Sequence, residues 1–245
     1  MIRRAMVLAA GFGTRLAPLT HTTPKPLLPV AGVPFLDHVL GFLQAGGIRE
    51  VVINLHHLGD QITAHVGDGA RFGLAVRYSR ESTILDTGGG IKHAERWLAG
   101  EPFLVVNGDS LFEIRLADLV DFHRTRGGIA TMALRADPDA ARYGLVEIDD
   151  DDRVRRIVGL PPGPASRPLR GFMFPGLHVL EPAIFDHMTP DTAFSIVRAT
   201  YRALLESDLP LYGYVTDARW INIDTPEALA ATDRELRRSP IRSFS

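Results

Sequence analysis

Met6-Val7-Leu8-Ala9-Ala10-Gly11-Phe12-Gly13-Thr14-Arg15-Leu16, followed by Pro24-Lys25-Pro26-Leu27, is the stretch that decides the fold. Met6–Ala10 is a continuous apolar run, the pattern of a strand covered on both faces. Gly11 and Gly13 stop it, and a proline-rich segment runs from Pro18 to Pro29. A doubly covered strand that ends in a glycine loop fits an open α/β sheet, where ligands gather at the carboxyl ends of the strands.

Outward from this stretch, strands and helices alternate. Pro34–Ala45 carries Leu36, Val39, Leu40 and Leu43 at helical spacing and stops at Gly46-Gly47. Val51–Leu55 predicts a strand, Gly59–Val66 a short helix and Ala75–Tyr78 a third strand. Thr87-Gly88-Gly89-Gly90 reads as the entry to a helix over Ile91–Leu98, with Trp97 in the core. Phe103–Asn107 predicts a strand, Leu116–Arg126 a helix and Ile129–Leu134 a strand. The alternation marks βαβ units, so the expected class is α/β: a doubly wound, mostly parallel mixed sheet with a smaller α+β lobe.

The second half changes character. Gly144–Ile148 and Val154–Val158 flank the acidic run Asp149–Asp152 and read as a hairpin with a solvated tip. Leu177–Leu180 predicts a strand, Pro182–Met188 a short helix, Phe194–Glu206 a longer helix and Leu211–Val215 a strand. Thr225 reads as the N-cap of a final helix with Pro226 at its first position. No linker separates independent domains. The expectation is one domain over 1–245, with a core over 1–135 and the lobe and closing elements over 136–245.

Composition narrows the function. The chain has 245 residues, and its 27 basic against 29 acidic side chains give a formal charge of −2. That disfavours a partner such as nucleic acid or an anionic membrane surface. The chain contains no cysteine, which excludes disulfides, thiolate metal sites and cysteine nucleophiles. No apolar run approaches the roughly 20 residues of a membrane span. The apolar stretch after Arg3-Arg4 is shorter than the usual signal-peptide core of about 7–15 residues. A cytoplasmic protein, monomer or homodimer, is expected.

Residue chemistry points to a phosphorylated ligand. Glycines at Gly11 and Gly13 let backbone N–H groups approach a phosphate. Arg15 supplies a planar fork for phosphate oxygens, and Lys25 stands on a backbone pinned by two prolines. A plain strand-to-helix turn would explain Gly-Phe-Gly alone, but not its spacing to Arg15 and Pro-Lys-Pro. A P-loop would need Gly-Lys-Ser/Thr, and a dinucleotide fingerprint would need a third glycine where Leu16 stands. Asp109 ends a buried-looking strand at the same sheet edge as Gly11, where a metal ligand is more plausible than a simple helix cap. The pair His56-His57 has too few companions for a metal site.

Leu8–Leu16 with Pro24-Lys25-Pro26 strongly resembles the signature of the sugar-1-phosphate nucleotidyltransferases, and the resemblance continues through most of the chain. It returns at Leu85–Gly90, at Val106-Asn107-Gly108-Asp109, at Gly176–Val179 and at Trp220–Glu227. It looks nearest to short bacterial members, the N-acetylmuramate-1-phosphate uridylyltransferases and mannose-1-phosphate guanylyltransferases. The resemblance implies transfer of a nucleoside monophosphate from an NTP to a sugar-1-phosphate, with Mg²⁺ as cofactor. It implies that Leu8, Ala9, Ala10, Gly11, Gly13, Thr14 and Arg15 hold the nucleotide, together with Asp86, Thr87, Gly88, Gly89, Asn107 and Gly108. Lys25 would neutralise the reacting phosphate, Gly176 and Trp220 would meet the sugar phosphate, and Asp109 would hold the metal. Residues 1–135 would be the nucleotide-binding core and 136–245 the sugar-binding lobe.

The chain departs from the family pattern twice. Where relatives have a second metal-binding aspartate in Trp-x-Asp-x-Gly-Thr, this chain has Trp220-Ile221-Asn222-Ile223-Asp224-Thr225. Asn222 fits the alignment and Asp224 brings the charge that Mg²⁺ prefers; Asp224 could instead cap the final helix. Where many relatives have Glu-Lys-Pro, this chain has Gly159-Leu160-Pro161, so Arg167 or Arg170 would have to supply that charge. The Asn222-Ile223-Asp224 pattern keeps a cytidylyltransferase for phosphocholine or a phosphonate as an alternative. An inactive subunit that only binds nucleotide sugars is a more distant one.

Overall fold

The computed structural model describes residues 2–138, 140, 144–162 and 168–241. Its strands are β1 (Arg4–Leu8), β2 (Pro29–Val30), β3 (Val33–Pro34), β4 (Glu50–Leu55), β5 (Ala75–Arg80), β6 (Phe103–Asn107), β7 (Ser110–Phe112) and β8 (Ala130–Leu134), then β9 (Leu145–Ile148), β10 (Val154–Ile157), β11 (Arg170–Met173), β12 (Leu177–Leu180), β13 (Leu211–Val215) and β14 (Trp220–Asn222). Seven of them form one sheet in the order β13-β8-β12-β6-β1-β4-β5. The chain divides into two compact units that interleave along the sequence.

The first unit takes residues 1–84, 106–115 and 219–245. In it β1 pairs in parallel with β4, and β4 with β5. Ala5, Met6 and Val7 are completely buried, as a strand covered on both faces requires. Helix α1 (Phe35–Ala45) buries Phe35, Leu36, Val39, Leu40, Phe42 and Leu43, and Gly47 with φ 91° ends it. Helix α2 (Gly59–Val66) has the predicted bounds. The short ribbon β7–β14 is antiparallel, with Trp220 opposite Phe112 and Asn222 opposite Ser110. The last helix of the chain (Pro226–Arg238) begins at Thr225, whose Oγ1 accepts from the Ala228 N–H at 3.2 Å.

The second unit takes residues 85–105 and 116–218. Helix α3 runs Asp86–His93 and α4 Glu95–Leu98. The expected helix over Ile91–Leu98 is therefore corrected: the glycines lie inside a helix and not before it. Helix α5 (Leu116–Arg126) has the predicted bounds, β12 is antiparallel to β8, and β13 is parallel to it. The predicted helix over Phe194–Glu206 is a π-helical turn, Ile196–Tyr201, leading into α6 (Arg202–Glu206).

Two expectations about side chains fail. Trp97 is half-exposed under the Arg96 guanidinium, 3.9 Å from its ring centroid, and not in the core. Asp149 is 1% exposed. It accepts from the Asp151 and Arg153 N–H groups, each at 3.0 Å, and from Arg155 Nε at 2.6 Å. Burial would raise its pKa, but these donors hold it below the ordinary value. The first aspartate of the acidic run thus organises the turn that follows it instead of standing in solvent. Arg170 is committed to the same turn, donating to Asp152 at 3.0 Å and to the Asp149 carbonyl at 3.2 Å.

Candidate active site

The glycine loop after β1 is held in shape by its neighbours. Gly13 has φ 61°, and a Cβ there would stand 2.8 Å from Thr20 Cγ2 and 3.1 Å from Lys25 Cβ. Glycine is needed at 13 for both reasons, and its absent side chain is what lets Lys25 approach the loop. Thr20 Oγ1 donates to the Gly13 carbonyl at 3.0 Å. At Gly11 a Cβ would meet nothing within 4 Å, so the loop is open on that side. Gly108 joins the ends of β6 and β1: its N–H donates to the Leu8 carbonyl at 2.9 Å, and a Cβ would stand 2.9 Å from the same oxygen.

A buried polar relay fixes the start of the loop. The Ala9 N–H donates to Asn54 Oδ1 at 2.7 Å, and Asn54 Nδ2 donates to Glu81 Oε1 at 2.7 Å. Asn54 and Glu81 are 3% and 6% exposed, a depth at which unpaired polar groups are costly. Sequence reasoning missed this relay, although Asn54 was visible as the polar member of an apolar strand. The histidine pair serves the same neighbourhood. His57 Nε2 lies 2.8 Å from the Thr20 carbonyl and His56 Nδ1 2.9 Å from the Glu81 carbonyl. Phe12 packs its ring against both imidazoles.

Lys25 starts a short 3-10 turn, Lys25–Leu27, after an extended Pro24. Its Nζ donates to carboxylate oxygens of both Asp109 and Asp224. Arg15 Nη2 lies 3.0 Å from the other oxygen of Asp224. Burial would raise the pKa of Asp224, but Lys25 and then Arg15 hold it below the ordinary value. Asp224 therefore does not cap the final helix; Thr225 does. Asn222 ends β14 beside Ser110, one residue from Asp109. The meeting of Lys25 with both aspartates was not foreseen, because the segments are 84 and 199 residues apart.

These groups line one cleft of about 190 Å³ within the first unit, formed by Leu8, Ala9, Gly11, Gly13, Thr14, Arg15, Lys25, Pro26, Gly108, Asp109 and Asp224. Ala10, Asn107, Asn222 and Trp220 belong to the same unit but not to that lining. Two carboxylates suit a hard divalent cation that takes its remaining ligands from phosphate oxygens and water. Among the described residues no three His, Cys, Asp or Glu side chains gather into an all-protein metal cage.

Asp86, Thr87, Gly88, Gly89 and Gly176 lie in the second unit. The N–H groups of Gly88 and Gly89 are not bare, as a helix entry would leave them; both donate to the Phe194 carbonyl, at 2.8 and 3.2 Å. A Cβ on Gly88 would stand 2.2 Å from the Phe194 ring, and one on Gly89 2.3 Å from the Thr192 carbonyl oxygen. The chain's own 192–196 segment is what these glycines admit. Asp86, at φ 58°, caps the adjacent Thr87 N–H at 2.6 Å. Gly176 is buried at φ 91° just before β12. Arg167 lies outside the described residues.

Relatives of known kind share this architecture. The chain is 36% identical over 235 residues to the mannose-1-phosphate guanylyltransferase of Mycobacterium tuberculosis, covering 96% of this chain and 64% of that protein. It is 39% identical over 189 residues to the N-acetylmuramate alpha-1-phosphate uridylyltransferase of Neisseria meningitidis serogroup B, covering 75% of this chain and 77% of that one. Identity to the UTP–glucose-1-phosphate uridylyltransferase of Synechocystis is 30%, with 90% of this chain and 60% of that protein covered. The chain thus spans less than two thirds of the length of the first and third of these. The crystal structure of HddC from Yersinia pseudotuberculosis complexed with GMP-PN superposes with a TM-score of 0.79 at 26% identity, over 96% of this chain and 100% of that one. The nucleotidyl transferase family model matches residues 4–239. With the motifs in order and the fold shared along nearly the whole length, the chain belongs to the nucleotidyl transferase family.

Proposed function

We propose that this protein transfers a nucleoside monophosphate from a nucleoside triphosphate to a sugar-1-phosphate, forming a nucleoside-diphosphate sugar and pyrophosphate. The observation that carries this reading is the cleft in which a glycine loop, two cations and two carboxylates meet at the ends of β1 and β6. The three relatives above are named for mannose, N-acetylmuramate and glucose phosphates, which favours a sugar phosphate over phosphocholine.

The attacking group is already an anion at neutral pH, so the step needs alignment and charge neutralisation, not a general base. The loop from Leu8 to Thr14 cradles the triphosphate, with Asn107 and Gly108 flanking it. Arg15, with its side chain 65% exposed, binds the outer phosphate oxygens. Lys25 turns its ammonium to the α-phosphate, where negative charge grows as the new bond forms. Asp109 and Asp224 would hold Mg²⁺, which supplies further charge neutralisation at the phosphates. Asp86 and Thr87 serve the base and ribose, and Gly176 and Trp220 the sugar. We place the reaction in the cytoplasm, in keeping with a chain without cysteine. No helix among the described residues is long and apolar enough to cross a membrane.

The test is a matrix of four NTPs against several sugar-1-phosphates and phosphocholine, read as pyrophosphate release in the presence of Mg²⁺. Release with at least one sugar-1-phosphate is expected. Release with phosphocholine alone, or with no pair at all, refutes the reading.

A further inference from the structure

The Lys25 ammonium stands between two carboxylates. Asp109 reaches the cleft from the turn after β6 and Asp224 from the residue before the N-cap of the final helix, and both converge on the Lys25 ammonium. Two carboxylates this close disfavour each other's ionised form unless positive charge lies between them. Lys25 provides that charge and Arg15 adds a second on Asp224, so the four groups balance. A divalent cation added alone would place four positive charges against two carboxylates. A triphosphate arriving with it more than offsets that excess of positive charge and gives the displaced ammonium new oxygens to bind.

We propose that the Lys25 side chain is a place-holder for the divalent cation. It occupies the gap between Asp109 and Asp224 and keeps the protein from binding metal until a nucleotide brings both the metal and a new partner for the lysine. The inference rests on the nucleotidyl-transfer reading of the same cleft. Lysine suits the task because its ammonium is a point charge on a flexible stem, able to move from carboxylate to phosphate by side-chain rotation alone. The pinned backbone between Pro24 and Pro26 keeps that swing short and returns the ammonium to the same two oxygens when product leaves.

The experiment measures Mn²⁺ binding without nucleotide, by electron paramagnetic resonance of free Mn²⁺ and by the Mn²⁺-induced rise in Tm. It compares wild type with K25M and with K25Q, which keeps an N–H donor for the carboxylates and so guards the fold. Wild type is expected to bind weakly with no Tm rise. The variants are expected to bind at least about tenfold tighter and to gain Tm, because two carboxylates then await a cation. Adding D109N to either variant is expected to abolish the gain. Equal affinity in wild type and both variants, or a gain that survives D109N, overturns the proposal. If wild type releases pyrophosphate in the substrate matrix but neither variant gains metal affinity, only the place-holder falls. If the variants gain affinity but no substrate pair reacts, only the transfer reading falls.

Discussion

Gly89→Ala should destabilise the protein, although alanine is the better helix former. Gly89 lies inside α3, so exchange for alanine would gain about 1 kcal/mol from propensity alone. Against this, the added Cβ would stand 2.3 Å from the Thr192 carbonyl oxygen, about 1 Å nearer than ordinary contact. The 192–196 segment must shift, and overpacking of this kind costs about 1–3 kcal/mol. The segment cannot simply leave, because it would lose the Phe194 carbonyl's bonds from Gly88 and Gly89, and the bonds Phe194 N→Leu85 O and Ile196 N→Thr87 Oγ1. At about 1 kcal/mol each, that loss costs more than the shift. A contact as short as 2.3 Å puts the cost in the upper part of that range, about 2–3 kcal/mol, so the net expectation is a loss of about 1–2 kcal/mol. Gly41, inside α1 with nothing within 4 Å of its missing Cβ, is the control: Gly41→Ala should gain about 0.5–1 kcal/mol. At about 2–4 °C per kcal/mol the two variants should melt several degrees apart, on opposite sides of wild type. Calorimetry gives the order, and faster amide exchange at Phe194 and Ile196 in Gly89→Ala localises the effect. A Gly89→Ala protein as stable as wild type would refute the packing argument.

Other outcomes follow from the same contacts. Asp109→Ala should lower kcat/KM by about 10³-fold or more through lost charge stabilisation, with the far-UV spectrum unchanged; wild-type-like turnover would remove it from the site. Asp224→Asn should shift the Mg²⁺ dependence of pyrophosphate release while Asn222→Ala leaves it unchanged, and the reverse result would make Asn222 the ligand. Thr225→Ala should cost about 1 kcal/mol in urea unfolding by loss of the cap bond to Ala228. His178, fully buried against Tyr201, has its pKa pushed down to about 3 by burial. The folded state thus takes up its proton later than the unfolded chain at about 6.5. Stability should be complete above pH 6.5 and fall as pH drops from there towards 3, at a slope approaching about 1.4 kcal/mol per pH unit. A His178→Asn variant should show a shallower decline over that window, read by urea midpoints.

Local patterns carried much of this protein. The apolar run of β1, the helical spacing of α1 and the Thr225-Pro226 start of the last helix are short-range signals. Each depends on residues within one or two turns, so the sequence alone located all three, although β1 runs Arg4–Leu8, two residues earlier at each end than the apolar run Met6–Ala10 pointed to. That Gly11, Gly13, Arg15 and Lys25 line one cleft was legible for the same reason, since they stand within fifteen residues of one another.

What the tertiary structure decided lies between distant segments. The sequence contained Lys25, Asp109 and Asp224, but only folding shows that one ammonium is shared by two carboxylates, one 84 and one 199 residues away. It also removed the cap reading of Asp224 by giving the cap to Thr225. Gly88 and Gly89 read in the sequence as a helix entry, and the groups packed against them are Phe194 and Thr192, about a hundred residues further on. Asp149 looked solvated because an acidic run is polar, and it is buried because Arg155 and two backbone N–H groups fold around it. A sequence states which side chains carry charge or leave room; which partner neutralises the charge or fills the room is set by long-range packing.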